Sequence, residues 1–68
     1  MTILIDTYSY VSAKSVNGKI YSAWKIFNGD NSYYWRLCEE IPDKCVYPFV
    51  NKTEYSTALN ALSIIDLL

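Results

Sequence analysis

The most reactive side chains in this 68-residue chain are two thiols, Cys38 and Cys45. A thiol does chemistry as a thiolate beside a group that stabilises it. The chain has no histidine, the commonest general base and metal ligand, and two cysteines alone do not close a zinc site. Nor is their spacing the Cys-x-x-Cys of redox enzymes. The acids Glu39, Glu40 and Asp43 are close enough in sequence to suggest a carboxylate pair, but such a site needs apolar walls to raise one pKa. Here they surround Pro42, in a stretch that reads as a solvated loop. Gly18 and Gly29 are the only glycines, so no glycine-rich phosphate cradle exists. An enzyme is therefore not expected, and neither a catalytic residue, a metal nor a cofactor is assigned.

What remains is aromatic. Aromatic residues make up 16% of the chain and charged ones only 19%, against 51% apolar, which is the composition of a compact globular protein. One domain over residues 1–68 is expected, with a small core and modest stability. The net charge of −1 makes the chain neither a polycation for duplex DNA nor an acidic mimic of it. The start "MTILIDTYSY" lacks the pattern of a secretory signal, and no segment approaches the roughly 20 apolar residues of a membrane span. The expectation is a cytoplasmic protein with no membrane contact and both thiols reduced. The sequon-like Asn51-Lys52-Thr53 is then a local structural device.

Turn signals divide the chain. Asn17-Gly18 and Gly29-Asp30 each lie between alternating segments, and Asn-Gly is the strongest short hairpin signal. Strands are expected at about 2–14, 19–28 and 31–40, with a short fourth near 46–50. The stretch "VNKTEYSTALNALSIIDLL" changes period, with Ala58, Ala61, Leu62, Ile65 and Leu68 at helical spacing. It predicts a helix over 53–67, with Asn51 as N-cap, Glu54 completing a capping box, and Val50 and Tyr55 as a hydrophobic staple. The fold class is α+β: an antiparallel three- to four-stranded meander with one C-terminal helix packed on one face.

Two-residue turns set the pairing. Val11 then faces Trp24, Trp24 faces Trp35, and Lys25 faces Tyr34. One face collects Ile3, Ile5, Val11, Ile20, Trp24, Ile26, Tyr33, Trp35 and Leu37. The other carries Tyr8, Tyr10, Lys14, Tyr21, Lys25, Phe27, Tyr34, Arg36 and Cys38. The uncharged face, with both tryptophans, is expected under the helix.

The open face is then the candidate site: Tyr8, Tyr10, Tyr21, Lys25, Phe27, Tyr34 and Arg36. Exposed aromatic area with Arg is the composition of a protein interface, so a protein partner is the first expectation, with a homo-oligomer as its self-binding variant. A single-stranded nucleic-acid platform is the alternative, less favoured at this charge. The order of an aromatic strand, a turn, the "WRL" strand and a helix near "TEYSTALNALSII" resembles the YegP-like strand-strand-helix modules over residues 24–68. That resemblance implies the fold and no site. In length and lack of motifs the chain also resembles small phage-encoded proteins that bind host or defence proteins, which implies an inhibitor or modulator.

Overall fold

The computed structural model describes residues 1–68. Four antiparallel strands form one open sheet in the order β1 (Thr2–Asp6), β2 (Tyr10–Lys14), β3 (Ile20–Phe27) and β4 (Tyr33–Glu40). A single helix, α1 (Ala58–Leu62), lies across one face and is followed by a 3₁₀ turn at Ile65–Leu67. The fold is α+β.

The first strand of the sequence reading is two strands. Thr7 breaks it: its backbone N–H and its hydroxyl both donate to the Tyr10 carbonyl, and the hydroxyl accepts from the Tyr10 N–H. This side-chain turn folds Thr2–Asp6 back on Tyr10–Lys14. The resulting β1 is an edge strand, exposed along its length, with an irregular register between Ile3 and Ile5.

Both hairpin loops are one residue longer than a two-residue turn. Ser15 N–H donates to the Lys19 carbonyl, leaving Val16, Asn17 and Gly18 as the loop, with Gly18 at φ 88°. Asn28 N–H donates to the Ser32 carbonyl, leaving Gly29, Asp30 and Asn31, with Asn31 at φ 71°. A three-residue loop ending in a left-handed residue is the next commonest hairpin connection. Each register therefore shifts by one: Tyr10 faces Trp24 and Val11 faces Ala23, while Trp24 faces Arg36 and Lys25 faces Trp35. Because side chains alternate with period two, β3 presents the opposite face to that expected from two-residue turns.

Trp24 and Trp35 consequently lie on opposite faces. The core under α1 is built from Val11, Ala13, Tyr21, Ala23, Trp35 and Leu37 of the sheet against Ala61, Leu62 and Ile65. Ala13, Ala23 and Ala61 are completely buried, and their small side chains let the helix approach β2 and β3 closely. Leu37, Leu62 and Ile65 fill the space around them; burying each contributes about 1.5–3 kcal/mol.

The helix is also shorter than 53–67. Its N-cap is Thr57, whose side chain accepts from Asn60 N–H at 3.0 Å. Asn51 instead accepts from Thr53 N–H at 3.1 Å and donates to the Tyr55 hydroxyl at 2.7 Å. Tyr55 is pulled out of the helix by a reciprocal pair of backbone bonds to Trp35, both 2.8 Å. Val50 and Tyr55 do pack against the core, from positions ahead of the helix rather than as its staple. The expected strand at 46–50 is reduced to one bridge, Phe49 with Cys38, flanked by Glu39 N–H to Pro48 carbonyl and Val50 N–H to Leu37 carbonyl. Together these bonds cover the outer edge of β4 from Trp35 to Glu39.

Candidate functional site

The face away from α1 starts from small residues. Ser12 and Ser22 pair across β2 and β3, and both are buried although no helix covers them. Their cover comes from aromatic side chains of the same face. Trp24 donates from Nε1 to the Ser22 hydroxyl at 2.9 Å. Tyr10 packs edge-on against Trp24 at 4.5 Å between centroids, and Tyr47 adds a third ring 6.1 Å from Trp24. The Tyr10 hydroxyl crosses the face to donate to Glu40. Burial, followed by that bond, pushes the Tyr10 pKa up to about 12.

Beside this layer Arg36 lies among aromatics, its guanidinium carbon 5.0 Å from the Phe49 centroid and 5.5 Å from that of Tyr34. The Nε atom is buried and has no hydrogen-bond partner. No carboxylate pairs with Arg36: the molecule's one ion pair joins the Met1 ammonium to Asp66. Trp24, Tyr47 and Phe49 remain 37%, 43% and 57% exposed, and Leu4 and Ile5 of the edge strand are also exposed. This is an aromatic surface around an unpaired guanidinium.

The seven residues expected to form one patch are split three ways. Tyr10, Tyr34 and Arg36 lie on the outer face as expected. Tyr21 does not: it is 2% exposed and part of the core, because β3 turns its odd-numbered residues inward. Lys25 and Phe27 follow the same parity onto the face of Trp35, where Tyr8 joins them. There the Lys25 ammonium lies among four rings, 3.6 Å from Tyr8, 4.2 Å from Tyr33, 5.4 Å from Trp35 and 5.9 Å from Phe27. Trp24, Tyr33, Tyr47 and Phe49 are the surface residues that sequence reasoning passed over. For Trp24 the missed signal was the loop length, which decides which face of β3 is outside.

The reactive groups are not gathered. Glu39 and Glu40 are successive strand residues and point to opposite faces. Cys38 is buried on the outer face, where burial raises its thiol pKa, and Cys45 is exposed. No three His, Cys, Asp or Glu side chains come together as a metal-binding group. No helix is long and apolar enough to cross a membrane. Comparison with protein-family models, curated proteins and solved structures finds no match.

Proposed function

We propose that the chain is a small non-catalytic binding protein that engages a protein partner through the outer sheet face. The observation that carries this reading is Arg36. A guanidinium beside two rings, with no carboxylate of its own and no hydrogen bond from its Nη groups within the chain, is placed to donate charge-assisted bonds to a partner carboxylate. Around it stand the exposed Trp24, Tyr47 and Phe49 and the half-buried Tyr34, and Trp, Tyr and Arg are the residue types that dominate binding energy at interfaces. In size, and in having a surface as its only tool, the chain fits the phage-type inhibitors and modulators it resembles. A cytoplasmic setting, with both thiols reduced, belongs to the same reading.

The test is differential capture from a lysate of the source or host cell, with wild type, a Trp24→Ala, Arg36→Ala variant and a Lys52→Ala control as bait. A protein retained by wild type and control but lost from the double variant, with unchanged circular dichroism, supports the reading. Arg36→Ala alone should weaken binding of that protein by about 1–4 kcal/mol in calorimetry, as anchor residues do. Equal capture by all three baits sinks it. Sub-micromolar binding of single-stranded DNA or RNA, falling steeply with salt, would replace it with the nucleic-acid reading.

A further inference from the structure

The rings around Lys25 form a pocket for a cation. Tyr8 comes from the β1–β2 turn, Phe27 from the end of β3, and Tyr33 and Trp35 from β4. Their faces attract a positive charge through the ring quadrupoles, which act within about 6 Å of a centroid. All four rings meet that limit about one point, the Lys25 Nζ.

Two features make the site more than a strand decoration. Three of the four walls are braced by groups other than Lys25: Trp35 is buried and tied through its backbone to Tyr55, and Phe27 packs edge-on against Tyr33 at 5.9 Å, while the exposed Tyr8 completes the cage from its turn. The occupant is held by the rings alone. Lys25 Nζ makes no side-chain hydrogen bond, and the molecule's one ion pair lies elsewhere. The cage is open to water, with Tyr8 76%, Phe27 58% and Tyr33 48% exposed. A primary ammonium here gives up water only on the side that faces the rings, where it gains no acceptor.

We propose that the cage is a binding site for a methylated ammonium, as borne by a trimethylated lysine or a choline-type molecule, and that Lys25 is a resident guest which such a ligand displaces. A quaternary ammonium carries no N–H donor, so it enters the rings without stranding one. On release the Lys25 ammonium recovers its water. Tethering gives Lys25 an effective concentration in the millimolar range, which sets a threshold that weakly bound cations do not cross. Unmethylated lysine side chains face the same desolvation loss as Lys25 without its tether, so the site discriminates by methylation.

The experiment titrates wild type, Lys25→Ala and Tyr8→Ala, Lys25→Ala with tetramethylammonium chloride, a trimethyl-lysine peptide and the unmodified peptide, at matched ionic strength. Binding is read from tryptophan fluorescence and from the ring protons of Tyr8 and Tyr33. Removing the resident guest should tighten tetramethylammonium binding about tenfold over wild type, the scale of one cation–π contact. Loss of Tyr8, an exposed side chain outside the core, should undo that gain. Trimethylation should favour the peptide by about tenfold or more. A peptide that outcompetes the free ion assigns the ligand to a protein side chain, and equal affinity assigns it to a small molecule. Saturable wild-type binding that shifts the Lys25 side-chain carbons supports the displacement even if Lys25→Ala does not fold. A folded Lys25→Ala protein with no saturable binding, or equal affinity for methylated and unmodified peptides, overturns the proposal. Unshifted Lys25 carbons in wild type at saturating trimethyl-lysine peptide do the same.

Discussion

The two faces of the β3–β4 hairpin carry similar residue types and put them to different ends. On the helix side, Trp35 is 7% exposed and is fixed between Leu37, the helix and the Tyr55 bridge. On the outer side, Trp24 sits over serines and is held by one hydrogen bond and its ring neighbours. The difference lies in what each tryptophan covers. Trp35 closes a dry space against aliphatic side chains, whereas Trp24 roofs a thin polar layer and keeps part of its surface in water. A single aromatic residue type thus serves as core on one face and as surface on the other, and strand parity alone decides which.

The comparison breaks most sharply if the two tryptophans are truncated in turn. Trp35→Ala should cost about 3–5 kcal/mol, comparable to the whole stability of a domain this small, and leave a chain without a cooperative melt. Trp24→Ala should fold and melt cooperatively at a lower temperature. Two equally folded variants, or two unfolded ones, would erase the distinction. A smaller change probes the loop that sets the parity. Gly18 has a positive φ and open space around it, so Gly18→Ala meets no clash but should lose about 1–2 kcal/mol by backbone strain, seen as a lower urea midpoint.

The outer face has its own pH signature. Because the Tyr10 pKa is raised in the fold from 10.0 to about 12, this group's contribution is fully present below pH 10 and is lost as pH rises toward 12. Tyr10→Phe should cost about 1 kcal/mol at neutral pH by losing the bond to Glu40, and should flatten the alkaline decline measured by urea melts. The smallest effect expected is at Asp66, where the bonds from the Met1 ammonium and the Val16 N–H hold the carboxyl below its ordinary pKa. Its contribution is present above the ordinary carboxylate range and fades as pH falls through the depressed value. Asp66→Asn should flatten the acid limb of the melting profile without moving the alkaline one.

The strands either side of Asn17-Gly18 and Gly29-Asp30 were legible because alternation and those turn signals are local, whereas the break at Thr7 and the reduction of 46–50 to a single bridge were not. The faces were not, since Ser15 and Asn28 close their loops one position farther out than a two-residue turn would. Both registers moved by the same step, so their mutual agreement carried no information about either. Tyr21 shows the cost: read as surface, it is core, while Trp24 makes the reverse exchange. The helix start was misplaced for a similar reason. Asn51 and Glu54 satisfy a capping pattern, but nothing local announces that Tyr55 will pair with Trp35 twenty residues earlier. Tyr10, Tyr34 and Arg36 were found on the outer face because their strands were flipped by neither shift.

The covering of β4 by residues 48–55 has a consequence for the molecule's behaviour at high concentration. A sheet with two bare edges can recruit copies of itself without limit, each arrival offering a fresh edge to the next. Here β1 is bare along its length while β4 is taken up from Trp35 to Glu39, so pairing through β1 consumes the one long edge that either copy has to offer. Growth of that kind ends at two molecules, so crowding this chain does not by itself seed a fibre from the folded state.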